Sequence, residues 1–126
     1  MGILDGLLGN ASQVEKSEVA KELRDILLPK EEVDMAYRVI RDMLVFTDKR
    51  LILVDKQGIT GKKVEYHTIP YKSIVHFSTE TMGTFDLDAE LKIWVSGSST
   101  PITKTFKKDS SIADVQKALA MYVLRS

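Results

Sequence analysis

The chain has 126 residues, no cysteine, and eighteen basic residues balanced by eighteen acidic ones. That length suits one domain that buries a core without staples, and the missing thiols exclude disulfides and thiolate metal sites. Zero net charge argues against a dedicated nucleic-acid binder, and no apolar run reaches the roughly 20 residues of a membrane-spanning helix.

The N-terminal segment "MGILDGLLGNAS" sets Ile3, Leu4, Leu7 and Leu8 on one face of a short helix. Gly2, Gly6 and Gly9 weaken that helix, so it needs a partner surface. No Lys or Arg precedes the apolar part, unlike a secretory signal, and Gly6 stands where a myristoylation site has Ser or Thr. A cytoplasmic protein is therefore expected, with membrane association as the alternative. Ser12-Gln13-Val14-Glu15 has the form of a capping box and predicts a second helix with an apolar stripe of Val19, Leu23, Ile26 and Leu27. Pro29 and "KEE" close it. Residues 1–32 hold four basic and seven acidic side chains, a net of −3, which leaves +3 on the remainder. Such a split reads either as ordinary surface variation or as a leader that pairs with the body of another subunit.

From residue 33 the apolar period shortens to 2. Val33, Met35, Tyr37 and Val39 predict the inner face of a first strand, and Met43–Phe46 a second. "TDKR" turns the chain into "LILVD", a third strand that is apolar on both faces, Leu51 and Leu53 one way, Ile52 and Val54 the other. A barrel wall needs one apolar face, so the Ile52/Val54 side calls for cover from the leader or from a neighbouring subunit. After the Gln57-Gly58 and Gly61 loop come "KKVEYHTI", the turn Pro70–Ser73, "IVHFSTE" and a turn at Met82-Gly83-Thr84. "DLDAELKIWVS" alternates cleanly, with Leu87, Ala89, Leu91, Ile93 and Val95 inward and Asp86, Asp88, Glu90, Lys92 and Trp94 outward. "ITKTFKK" is a seventh strand. Ile112, Val115, Leu119, Tyr122 and Val123 form the stripe of a last amphipathic helix. Seven closely spaced strands and one helix predict a partly open antiparallel barrel with the helix as its plug.

The segments "VFTDKRLILVD", "HTIPYKSIVHFSTE" and "ELKIWV", followed by the terminal helix, resemble the bacterial pleckstrin-homology (PH)-like domains, a family long catalogued as a domain of unknown function. Thr47, Asp48, Lys49, Arg50 and Leu51 match its turn between the second and third strands. Ile69, Pro70, Tyr71 and Ile74 match its entry to the fifth. The likeness covers roughly residues 31 to 126 and leaves 1–30 as a helical leader. It implies a partly open seven-stranded barrel capped by a C-terminal helix, preceded here by N-terminal helices. It also implies self-assembly, in some members into rings, with protein partners held in inter-subunit grooves.

Several residues stand out as candidate contacts. Trp94 lies on a polar face, where a tryptophan is either covered by another element or placed to meet a partner. With Ile52, Val54, Leu4, Leu7 and Leu8 it is expected to contact a protein partner or another subunit. Lys49, Arg50, Lys62 and Lys63 are candidate contacts for an anionic headgroup, the alternative reading as a peripheral membrane module. Against that stands ordinary turn chemistry, in which Thr47 and Asp48 bond local backbone amides. Asp86, Asp88 and Glu90 read as a solvated outer face, and His67 and His76 lack the spacing of a zinc site. No phosphate cradle or nucleophile elbow occurs in the chain. We expect a non-enzymatic module with no cofactor or metal, whose partners are copies of itself and an unidentified protein or peptide, and no nucleic acid.

Overall fold

The structure is a computed structural model and describes residues 14–39, 42–58, 62–81, 89–106 and 112–125. Among the described residues the leader contributes one short helix, α1 (Lys16–Glu22). Seven strands follow: β1 (Val33–Val39), β2 (Asp42–Thr47), β3 (Arg50–Gln57), β4 (Lys63–Pro70), β5 (Ile74–Thr81), β6 (Ala89–Val95) and β7 (Ile102–Phe106). A 3-10 turn (Tyr71–Ser73) joins β4 to β5, and helix α2 (Ile112–Val123) comes last. The strands form two antiparallel sheets, β1-β2-β3-β4 and β5-β6-β7. They fold over one core but do not close into a continuous barrel among the described residues. β7 approaches β1, and Lys104 on β7 reaches Asp42 on β2 at 3.8 Å. The opposite corner, between β4 and β5, is open.

The alternation in the sequence sorts side chains onto two faces. Tyr37, Val39, Leu44, Phe46, Leu51 and Leu53 point into the sandwich against Leu91, Ile93 and Phe106. Val115, Ala118, Leu119 and Tyr122 of α2 pack on the same core. Ala36, Met43, Val45, Ile52 and Val54 point the other way and are buried beneath Val19 and Leu23 of the leader. β2 is thus as two-faced as β3.

Three local readings are corrected. Helix α1 begins at Lys16, with Glu15 at the N-cap and no side-chain cap bond, and Ser12 lies outside the described residues. The Val14 N–H bonds to Ala36 O (3.0 Å), which holds the chain along β1 until the helix starts. The expected stripe also outruns the helix. After Glu22 the chain turns, and Ile26 and Leu27 reach the outer cluster from a non-helical segment. Finally, β1 carries a bulge between Val33 and Met35. Val33 therefore packs with the outer cluster and Met35 with the inner one, rather than both on one face. The predicted Met82–Thr84 turn and the start of the sixth strand at 86–88 lie outside the described residues.

Leu119 is fully buried where α2 meets the core. Leu119→Ala is expected to cost about 3 kcal/mol, transfer loss plus cavity, seen as a lowered urea midpoint with an unchanged denaturant slope.

Candidate functional site

The fold leaves few surfaces for a partner. Ile52 and Val54, expected to contact another subunit, have 0% exposure because the chain's own leader covers them. Within the single folded chain they are core. Leu4, Leu7 and Leu8 lie outside the described residues. α2 closes the core on its side. Among the described residues, the outer face of β5-β6-β7 and the edges of β4 and β5 stay open, and Tyr66, Met121 and Leu124 are exposed elsewhere.

Trp94 occupies that outer face. It pairs across the strands with His76, and the two rings stack at 4.3 Å between centroids with 26° between planes. A bulge between Ile74 and His76 shifts the register at this point, and Val75 beside it is 61% exposed. Bulges re-aim side chains, and here His76 comes to lie on the indole. Further along the face, Lys92 lies opposite Ser78 and Thr103, and Glu90 opposite Glu80 and Thr105. Lys92 and Glu90 approach to 3.8 Å. An aromatic pair thus sits beside a polar, mixed-charge field. Leu91 and Ile93 point inward and are fully buried, in line with the parity read from the sequence.

The basic candidates are dispersed. Arg50 is committed within the chain. Its Nε and Nη2 donate to the two carboxylate oxygens of Glu31 (2.9 and 3.0 Å), Nη1 to Thr68 Oγ1 (2.9 Å) and Nη2 also to Ile26 O (2.6 Å). These bonds make it the bolt between leader and barrel. Lys49 is half exposed and lies 3.8 Å from Asp48. Lys62 and Lys63 are exposed, but Lys63 pairs with Gln57 while Arg50 pairs with Pro70. The two basic groups therefore sit at opposite ends of the β3–β4 ladder, about 24 Å apart at 3.4 Å per residue. They do not converge on one headgroup.

The turn chemistry is longer in reach than the sequence suggests. Thr47 Oγ1 accepts the N–H groups of Lys49 and Arg50 (both 3.0 Å) and donates to Glu31 Oε2 (2.7 Å). Asp48, expected to bond locally, instead accepts the Glu32 N–H (2.9 Å) and returns its own N–H to Glu32 O (3.0 Å). Glu31 is the buried centre of this network. Burial alone would raise its carboxyl, but Arg50, the Leu28 N–H and the Thr47 hydroxyl outweigh that and hold its pKa down to about 2 from an ordinary 4.5. Sequence reasoning passed over Glu31 as a helix terminator, because nothing local joins it to an arginine nineteen residues on.

A second lock was also missed. Tyr71 and Tyr122 stack at 4.8 Å, and Tyr122 stacks on Phe46 at 5.8 Å. The Tyr71 hydroxyl donates to Thr47 O (2.6 Å), and the Tyr122 hydroxyl donates to the Asp34 carboxylate. Asp34 lies in the β1 bulge, which aims it at α2. The Arg125 guanidinium lies 4.9 Å from the Tyr122 ring centroid. Burial pushes both hydroxyls well above the usual tyrosine range, with nearby Asp34 adding to it, so both act as neutral donors.

These surfaces sit on a fold with known relatives. The bacterial PH domain family model matches residues 2–123, a span that takes in the leader as well as the barrel. The chain belongs to the bacterial PH domain family. It is 63% identical to Uncharacterized protein YjqA of Bacillus subtilis (strain 168) over 121 residues, 95% of this chain and 97% of that one. It is 31% identical to Uncharacterized protein YozO of the same strain, over 87% of this chain and 94% of that one. Among solved structures, a pleckstrin homology domain from Shewanella amazonensis SB2B superposes with a TM-score of 0.85 at 55% identity, covering 98% of this chain and 99% of that one. A DUF1696 family protein with a pleckstrin-homology domain from Shewanella loihica PV-4 gives 0.79 at 55%, covering 90% and 97%. No helix among the described residues is long and apolar enough to cross a membrane.

The low Glu31 pKa carries a signed consequence. A depressed folded-state pKa means stability that is full above about pH 4.5 and is lost as pH falls toward 2. The contribution at neutral pH is on the order of 3 kcal/mol. Glu31→Gln is expected to lose about that much at pH 7 and to flatten the decline between pH 5 and 2, checked by urea unfolding across that range.

Proposed function

We propose that this protein is a non-enzymatic PH-like binding and scaffold module, cytoplasmic, that self-assembles into a homo-oligomer and holds a protein or peptide partner in a groove between subunits. The observation that carries the reading is the Trp94–His76 stack on the outer face of β5-β6-β7. A large aromatic on an open face favours protein contact, because it buries much area for little lost conformational freedom.

The β5 edge supports the same reading. Ile74–Thr81 contains no Lys, Arg or Pro, the residues that usually guard a free edge. β4, by contrast, carries Lys63 and Pro70 at its ends. A free edge without Lys, Arg or Pro, blunted by its bulge and Glu80 alone, lies beside the aromatic face and suits a contact with a neighbour, and a head-to-tail contact that closes on itself makes a ring. Dispersal of the basic residues favours a protein partner over an anionic lipid surface.

Trp94→Asp is expected to weaken the subunit contact by roughly 2 kcal/mol or more, about thirtyfold. Light scattering on a sizing column should show the wild-type mass fall toward that of one chain, with the circular dichroism unchanged. An oligomer that keeps its mass in the variant removes Trp94 from the contact. Vesicles containing anionic lipid are expected to leave the protein in the supernatant even at low salt, and salt-sensitive sedimentation would move the reading to the membrane.

A further inference from the structure

The leader is attached across a hinge whose backbone is strained. Lys30 has φ +71, a left-handed conformation that non-glycine residues rarely adopt. It stands between two sets of bonds. Before it, residues 14–29 grip the outer face of β1–β3: Val14 N–H to Ala36 O, Ile26 O to Arg50 Nη2, Glu22 to Lys56 at 3.7 Å, and Val19 and Leu23 over Ile52 and Val54. After it, Glu31 belongs to the barrel, bound to Arg50 and Thr47. The receiving surface is therefore assembled by residues beyond the hinge, and nothing in it distinguishes the chain's own leader from an identical one.

From this geometry we infer that residues 14–29 exchange between copies, with the leader of one subunit seated on β1–β3 of another and the 28–32 hinge extended. The inference rests on the self-assembly proposed above and names one connection through which it is made. Two bonds across the hinge hold the closed form, Leu28 N–H to Glu31 Oε1 (2.9 Å) and Glu31 N–H to Leu28 O (3.0 Å). The φ of Lys30 opposes them, and an extended hinge releases it. Short hinges under strain are where such exchange arises, because every contact but the hinge is kept. The seven-residue helix is too short to persist undocked, so the leader must sit on one such surface or another.

The Glu22–Lys56 pair gives the test. Uniformly 15N-labelled and unlabelled full chains are mixed equally, unfolded together and refolded at high concentration. They are then coupled with a zero-length carbodiimide, and light scattering and peptide mass spectrometry are run on the same sample. Random exchange gives mixed-isotope Glu22–Lys56 peptides as about half of the total in the oligomer. An oligomer with same-isotope pairs alone overturns the exchange and leaves self-assembly standing; a single-chain mass with same-isotope pairs overturns both. Lys30→Gly removes the backbone penalty of the closed form and should shift the equilibrium about fivefold per hinge toward it, so that the mixed share falls below half. Lys30→Pro cannot take φ +71 and should keep the share at its ceiling of about half. A mixed share that Lys30→Gly leaves at that ceiling overturns the role given to the hinge.

Discussion

Strands β2 and β3 are apolar on both faces, and a sheet of that kind is stable only between two covers. Leu44, Phe46, Leu51 and Leu53 are answered by the second sheet and by α2. Met43, Val45, Ile52 and Val54 are answered by the leader. Full burial of a Val or Leu side chain is worth about 2 kcal/mol, so Val19 and Leu23 together rival much of a small domain's net stability. The leader is accordingly a structural layer of the domain rather than an appendage to it.

Hydrophobic contact covers the face, but polar bonds set where the cover lies. Arg50 carries this alignment. Its guanidinium joins β3, the Glu31 carboxylate, the Thr68 hydroxyl and the end of the leader in one partly buried knot. A planar, always-charged donor fork can satisfy all of these at once, which a lysine ammonium cannot do with the same geometry. The cost of burying the charge is offset because Glu31 is itself held by Thr47 and the Leu28 N–H. The Tyr71–Tyr122–Phe46 stack and the Asp34 bond fix α2 in the same manner. With both helices locked, the molecule presents a rigid frame whose uncovered sheet carries Trp94 and His76.

Much of the fold was legible in the residues. The period-2 runs placed all seven strands within a few positions, and the stripe of α2 packs as read, with Val115, Leu119 and Tyr122 buried. The two-faced character of β3 was also legible, and so was the need to cover it. The choice of cover was not, since a leader of the same chain and a neighbouring subunit offer the same apolar chemistry. Trp94 was placed on the outer face by parity. Its partner His76 was not named, because register across the β5–β6 connection depends on a bulge that alternation does not show. Arg50 was weighed as a headgroup contact against a plain turn residue, and neither reading joins it to Glu31, for a similar reason. Pairing over nineteen residues with Glu31 is invisible to any local pattern.

The sequence by itself determined the strand count, the faces of those strands, the two amphipathic covers and the turn at Thr47–Arg50. Each of these follows from periodicity and short-range hydrogen bonding, which are properties of neighbouring residues. Only the tertiary structure decided that Arg50 is a bolt, that Ile52 and Val54 are core, that Asp34 reaches Tyr122, and that His76 lies on Trp94. Those outcomes depend on which distant groups arrive within a few ångströms of one another once both sheets are in place. The positive φ at Lys30 is partly local: Lys30 is the third residue of the Leu28–Glu31 turn, entered through Pro29 and closed by the Glu31 N–H to Leu28 O bond, and the tertiary structure adds the Glu31 carboxylate network on its far side.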